Sequence, residues 1–146
     1  GQQLYRIIPR TILYARLGNK LPLHGNGTSE RSFVHIHDVA NATYRIALNG
    51  TVGTTYHIST KDTISIRDLV IKICELINVN FTDFVEESEE RLGKDQSYML
   101  DSEKLRKELR WKDTFDLNEG IASTVEWIDN NLDELKKLPH EYIHKP

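Results

Sequence analysis

Residues 21–48 read LPLHGNGTSERSFVHIHDVANATYRIAL, and this stretch decides the fold class. Leu21-Pro22-Leu23-His24 and Ser32-Phe33-Val34-His35 read as short strands, and Gly25-Asn26-Gly27-Thr28 between them supplies glycines that accept positive φ. A hairpin or a tight loop is expected there. Asp38 then precedes Val39, Ala40, Ala42, Ile46, Ala47 and Leu48, where its carboxylate is placed to accept the free amides of a helix N-terminus. That helix should end at Asn49-Gly50.

Outward from this stretch the alternation continues. On the N-terminal side, Leu4, Ile8, Ile12, Leu13 and Leu17 recur at helical spacing, with Pro9 tolerated in a first turn and Gly18-Asn19 as a stop, which predicts a helix from about Pro9. On the C-terminal side, Thr54 to Ser59 is β-rich and Thr63-Ile64 begins another short strand. Ser65-Ile66-Arg67-Asp68 has capping-box spacing ahead of a helix running to about Ile77. Phe81 to Val85 alternates weakly as a strand, Arg91 to Asp95 reads as loop, and Tyr98 to Leu100 is expected to pair briefly. Asp101-Ser102 caps a short helix reaching Leu109. Asp116 and Glu119 bracket a last helix whose Leu117, Ile121, Val125, Ile128, Leu132 and Leu135 line one face. Strands and helices interleave, so the class is mixed α/β or α+β. The expected division is a domain over 1–138 and an extended or disordered tail over 139–146.

The composition is that of a globular domain: 146 residues, 38% hydrophobic and 28% charged, with eight Gly and four Pro. A chain of this length buries roughly 70% of its unfolded surface and needs no staples. Cys74 is the single cysteine, which excludes an internal disulfide or a multi-thiolate zinc site and fits a reducing, cytoplasmic location. Nineteen basic against 22 acidic side chains give a net charge of -3, which argues against nucleic acid or an anionic membrane as the main partner. No apolar run approaches a membrane span. Met99 is the only methionine and the chain opens Gly-Gln-Gln-Leu-Tyr, so a piece of a longer protein is expected.

The residues offer little self-contained catalysis. Gly25-x-Gly27 and Gly50-x-x-Gly53 lack the third glycine and the strand-to-helix context of a dinucleotide loop. No tyrosine has lysine four residues later, and no Gly-x-Ser-x-Gly elbow occurs. His35-x-His37-Asp38 admits a metal pair or a plain structural role; the missing third ligand favours the latter, and no metal is expected. Structural roles are expected for His24 and His57 taken alone, and packing for Cys74. Asn26, Asn41, Asn49 and Asn80 each begin an Asn-x-Thr sequon, although Asn41 falls inside a predicted helix. Arg31, just before an apolar strand, and Arg91, in a glycine-containing loop, are set apart by position. Guanidinium forks match phosphate oxygens, so two readings stand: a clamp on a diphosphate, or two solvated surface arginines.

Taken in order, IIPRTILYARLGNKLPLHGNGTSERSFVHIHDVANATYRIAL, GTTYHIS and RLGKDQSYMLDSEKLRKELRWKDTFDLNEGIASTVEWIDNN resemble the C-terminal, substrate-binding part of extended short-chain dehydrogenase/reductase enzymes. Within that NAD-dependent epimerase/dehydratase family the likeness is closest to the dTDP-glucose 4,6-dehydratases and runs from about Gln2 to Asn131. The resemblance implies the substrate lobe of an extended Rossmann-type enzyme, without the Rossmann cofactor lobe.

It also implies roles. Arg31 matches the arginine that holds the diphosphate of a nucleotide sugar, and Arg91 matches the second phosphate ligand, in the family's Arg-Pro-Gly-His-Asp loop. Asp95 matches that loop's aspartate, near the ribose. Arg6 and Ile7 fall on the pair flanking the base, Pro22 and His24 on the strand beneath it, and His57 on the asparagine of Tyr-Asn-Ile-Gly. Leu92, Lys94, Gln96, Ser97, His24 and His57 depart from the familiar pattern and leave base and sugar open.

The implied chemistry is oxidation at sugar C4, loss of water across C5 and C6, and hydride return to C6. Its NAD, tyrosine, lysine and acid/base pair are expected upstream, so no catalytic residue is expected in this chain and the chain alone should be inactive. The implied partner is a nucleotide-diphosphate sugar, and the implied full-length state is a homodimer. UDP-sugar 4-epimerase and UDP-glucuronate decarboxylase chemistry, or a non-catalytic binding module, are the alternatives.

Overall fold

The computed structural model describes residues 3–89, 93 and 95–140. In chain order the elements are α1 (Ile7–Leu17), β1 (Leu21–His24), a 3-10 turn (Gly25–Gly27), β2 (Glu30–Arg31), α2 (Ile36–Asn49), β3 (Ile64–Ser65), α3 (Ile66–Leu76), α4 (Phe81–Phe84), β4 (Val85–Ser88), α5 (Glu103–Leu109) and α6 (Leu117–Leu135). They divide into two compact units. The first comprises Gly1–Thr28, Ser65–Lys94 and Ile121–Pro146, and the second Ser29–Ile64 and Asp95–Gly120.

The first unit is built around β1. Its side chains alternate, Leu21 and Leu23 buried and Pro22 and His24 half-buried. The two leucines join Tyr14, Val70, Cys74 and Phe84 in one apolar core, edged by Ile7, Ile66 and Phe81. β1 pairs in parallel with β4, in the register Leu21↔Val85 to His24↔Ser88. Among the described residues β1 has this single strand neighbour, so Pro22, which has no N–H, fits an edge strand. Of the hairpin or tight loop expected here, the tight loop forms, and residues 32–35 do not pair with β1. Gly25, Asn26 and Gly27 all have positive φ (56°, 52° and 67°) and coil the chain into the 3-10 turn. Gly27 is required there: a Cβ would lie 2.7 Å from the backbone nitrogen of Arg67.

α1 closes as expected, with Gly18 left-handed at φ 70° and the Asn19 amide donating back to the Tyr14 carbonyl at 2.9 Å. α3 opens on the expected capping box: Ser65 Oγ accepts from the Asp68 amide at 3.0 Å and donates to the Asp68 carboxylate at 2.7 Å. The strand expected over Phe81 to Val85 is instead a helical turn followed by β4. Asn80 Oδ1 accepts from the amides of Thr82 and Asp83, and this cap outweighs the weak alternation.

The second unit is held differently. Its small apolar cluster is Ala42, Leu105 and Trp111, edged by Ile46, Tyr56, Ile58 and Leu109. β2 is a neighbour of β3, whose first residue, Ile64, ends the unit's first segment. Residues 32–35 form no strand; the helix after them begins two residues ahead of Asp38. His35 is its N-cap, with Nδ1 accepting from the His37 amide at 3.3 Å. Asp38 therefore sits inside the first turn and serves another segment. Its buried carboxylate accepts from Thr114 Oγ1 (2.6 Å) and from the amides of Thr114 (3.0 Å) and Phe115 (3.1 Å), while Trp111 Nε1 donates to its carbonyl at 3.1 Å.

Thr54 to Ser59 has no ladder partner among the described residues and is tied by side chains. Tyr56 donates to Glu108 at 2.8 Å, and the Ser59 carbonyl accepts from Ser102 Oγ (2.9 Å) and from Arg106 (3.1 Å). α5 is capped as expected by Asp101, whose carboxylate accepts from the Glu103 amide at 2.8 Å. α6 opens on the reciprocal pair Asp116 and Glu119.

Candidate functional site

Arg31 is the best-defined candidate. It ends β2, and its guanidinium gathers the segment that follows Lys94 in the chain. Nη2 donates to the Asp95 carbonyl at 2.8 Å, and Nη1 donates to the Glu30 carbonyl at 2.6 Å and the Gln96 carbonyl at 3.3 Å. The Glu30 amide donates to the Gln96 carbonyl at 2.9 Å, and Glu30 forms a parallel bridge with Ser97. Tyr98 places its ring 4.9 Å from the Arg31 guanidinium carbon. The side chain is thus fixed in direction by backbone carbonyls and an aromatic face, with N–H groups left for an anion: a guanidinium carries five and three donate here.

Of the sequence-derived site residues, the structure therefore brings Arg31 and Asp95 together, through the Asp95 main chain. The Asp95 side chain is exposed. Arg91 lies outside the described residues. His57 is exposed in the same unit, on the segment that precedes Ser59.

In the first unit, Ile7 packs against the core that holds Leu21 and Leu23, while Arg6, the N-cap of α1, is exposed and has its guanidinium carbon 5.4 Å from the Tyr5 ring. Pro22 and His24 point to the half-buried side of β1. The His24 ring is held by its strand partner: Nδ1 lies 3.0 Å from Ser88 Oγ and 3.0 Å from the Glu89 carbonyl. Ile7 and β1 thus share one packed frame, and Pro22 and His24 stand on its surface.

His35 and His37 belong to an aromatic stack. The Phe115 ring centroid lies 4.2 Å from that of His35 and 5.7 Å from that of His37. Among the described residues no group of three or more His, Cys, Asp or Glu is arranged to hold a metal ion. Cys74 is buried in the first core, and burial, with Glu75 adding, pushes its thiol up to about 11, which marks packing rather than nucleophilic use.

Sequence reasoning missed Tyr98 as the partner of Arg31 and Asp38 as an anchor for residues 111–115. An aromatic close behind a glycine loop was the available signal for the first. For the second, the only clue was an acidic residue one turn inside an apolar helix face.

Small parallel pairing, interleaved helices and an arginine-organised loop define a mixed α/β protein. The family model for GDP-mannose 4,6 dehydratase matches residues 1–124, and the chain belongs to that family. A trifunctional UDP-glucose 4,6-dehydratase/UDP-4-keto-6-deoxy-D-glucose 3,5-epimerase/UDP-4-keto-L-rhamnose-reductase of Arabidopsis thaliana is 36% identical over 126 residues, covering 86% of this chain and 19% of the relative. The dTDP-glucose 4,6-dehydratase of Shigella flexneri is 32% identical over 139 residues, 91% of this chain and 38% of the relative. The crystal structure of the dTDP-glucose 4,6-dehydratase of Bacillus anthracis in complex with NAD superposes with a TM-score of 0.88 at 28% identity, over 94% of this chain and 43% of that one. The chain therefore spans less than half the length of each of these relatives. No described helix is long and apolar enough to cross a membrane.

Proposed function

We propose that this chain is the nucleotide-sugar-holding part of an NAD-dependent sugar-nucleotide 4,6-dehydratase, with residues 1–138 as the binding part and 139–146 as a tail. The observation that carries the reading is the ordered similarity to dehydratases named for dTDP-glucose and UDP-glucose, supported by the Arg31 guanidinium, which backbone carbonyls hold in one direction. Arg31 would hold one phosphoryl group and Arg91 the other, with Asp95 at the ribose. Arg6, Ile7, Pro22, His24 and His57 would surround the base and its neighbourhood.

The chain's own residues do not fit NAD. Its Gly-x-Gly turn is packed against the Arg67 backbone, and the sequence has no Gly-x-Gly-x-x-Gly loop. NAD belongs, on this reading, to the remainder of the dehydratase architecture, where it supplies a reversible hydride acceptor for oxidation at C4, elimination of water across C5 and C6, and hydride return to C6. The part played by this chain is to fix the diphosphate so that the sugar is presented in one orientation. A cytoplasmic location and a homodimeric full-length protein complete the reading.

Calorimetric titration with dTDP-glucose, UDP-glucose and GDP-mannose tests it. Arg31→Ala and Arg91→Ala are each expected to weaken the preferred ligand by about ten- to a hundredfold, the loss of one charge-assisted contact. Arg31→Lys, which keeps charge but loses the fork, should fall between. Variants that bind like the unaltered chain would overturn the assignment. The chain with added NAD should give no sugar oxidation; turnover would place catalytic groups here.

A further inference from the structure

The second unit contains a cavity of about 320 Å³ that the nucleotide-sugar reading does not use. Arg45, Arg110 and Lys112 line it together with His37, Phe115 and Asp38. Three cations face one carboxylate, and that carboxylate is already consumed by the Thr114 hydroxyl and the Thr114 and Phe115 amides.

The cations are not committed in the same way. No side-chain hydrogen bond or ion pair of Arg110 or Lys112 occurs among the described residues, and both side chains are exposed. Arg45 is aimed by two bonds, Nε donating to Asn41 Oδ1 at 2.8 Å and Nη1 to the Leu109 carbonyl at 3.1 Å, which leave its other N–H groups available.

A second observation comes from the backbone. Arg110 is the C-cap of α5 and is left-handed, at φ 49° and ψ 34°. Glycine takes that position without steric cost, and a side chain there is held against a penalty. A strained non-glycine residue whose side chain lines a positively charged cavity points to a use for that side chain.

We propose that this cavity binds a small phosphate-type anion, with the Arg110 guanidinium and Lys112 ammonium as its main ligands and Arg45 as a pre-oriented third. Its residues are distinct from Arg31, Arg91 and the other nucleotide-sugar candidates.

Amide-resolved NMR titration of the chain with inorganic phosphate, at ionic strength held constant with chloride, is the test. Saturable shifts are expected at His37, Arg110, Lys112, Thr114 and Phe115. The double variant Arg110→Gly/Lys112→Gln should weaken this binding at least tenfold while melting no lower than the unaltered chain, because glycine suits the left-handed cap. Arg31→Ala should leave these shifts in place, which separates the cavity from the nucleotide-sugar site. A parallel arm with glycerol phosphate distinguishes a free ion from a phosphate on an organic carrier; saturable shifts with either probe support the site. Non-saturable shifts, or binding unchanged in the double variant, would overturn it.

Discussion

The two units solve the same stability problem with opposite materials. In the first, a parallel strand pair is fixed by apolar contact: Leu21, Leu23, Val70, Ile73 and Cys74 are all but fully buried. In the second, the apolar cluster is small and irregular segments are tied down by charge. Asp38 gathers Thr114 and Phe115, and Arg106 gathers Ser59, Ser102 and Asp113 while its guanidinium carbon sits 4.7 Å from the Trp111 ring. The lesson is one of tolerance. Dispersion and burial are non-directional, so the first unit should accept shape-conserving changes and suffer from lost volume. Directed hydrogen bonds should make the second accept volume changes on its surface and suffer from lost polarity.

Four measurements break or sharpen that contrast. The largest effect should come from Leu23→Ala, which opens a cavity beside Leu21 and Phe84 and is expected to cost about 2–5 kcal/mol in chemical denaturation. Cys74 alkylation reports it, since that thiol reacts only when the core opens. Asp38→Asn comes next, at about 1–3 kcal/mol, because the amide keeps one acceptor oxygen for the Thr114 and Phe115 amides but loses the negative charge that strengthens all three bonds and replaces the acceptor facing the Thr114 hydroxyl with an N–H donor. The fluorescence of buried Trp111 should follow this loss; a loss seen only at Cys74 would reverse the contrast.

Acid gives the third measurement. Burial pushes the Asp38 carboxyl up, but the Thr114 hydroxyl, the Phe115 and Thr114 amides and the His35 charge outweigh it and hold the group below its ordinary range. The Arg106 guanidinium does the same for Asp113 against burial. Both carboxylates stay ionised in the fold at pH values where the unfolded chain binds protons. Their contribution is therefore fully present above about pH 4 and lost as pH falls through the lower folded values. Stability measured against pH should lose part of this acid slope in Asp38→Asn; an unchanged slope would remove Asp38 from the account. The smallest effect belongs to the half-exposed pair of Arg16 and Asp129 in the first unit, at 2.7 Å: Asp129→Asn should cost less than about 1 kcal/mol.

The legible part of the fold was its local chemistry. The Ser65 and Asp68 box, the Gly18 stop, the Asp101 cap and the reciprocal Asp116 and Glu119 pair all form where the spacing put them, because each is made between residues at most five apart. The misread parts have two causes, one distant and one local. β1 looked for a partner nearby and found it at Val85–Ser88, since parallel pairing leaves no local mark. Phe81 to Val85 alternated, but Asn80 capped a turn there. For the site, the residues singled out Arg31 and Arg91 and the family resemblance added Asp95; the fold joins Arg31 to Asp95 through the Asp95 carbonyl, a group that residue identity does not advertise.

What the sequence determined by itself, then, was the helices α1, α3, α5 and α6 with their start and stop signals, and the mixed α/β class. Tertiary structure alone decided which strand pairs with which, that Asp38 anchors residues 111–115 instead of capping its own helix, and that Arg110, Lys112 and Arg45 share one cavity. Caps and periodicities are short-range and read along the chain. Contacts between distant residues depend on closing loops, and that choice is settled by the packing of the whole unit.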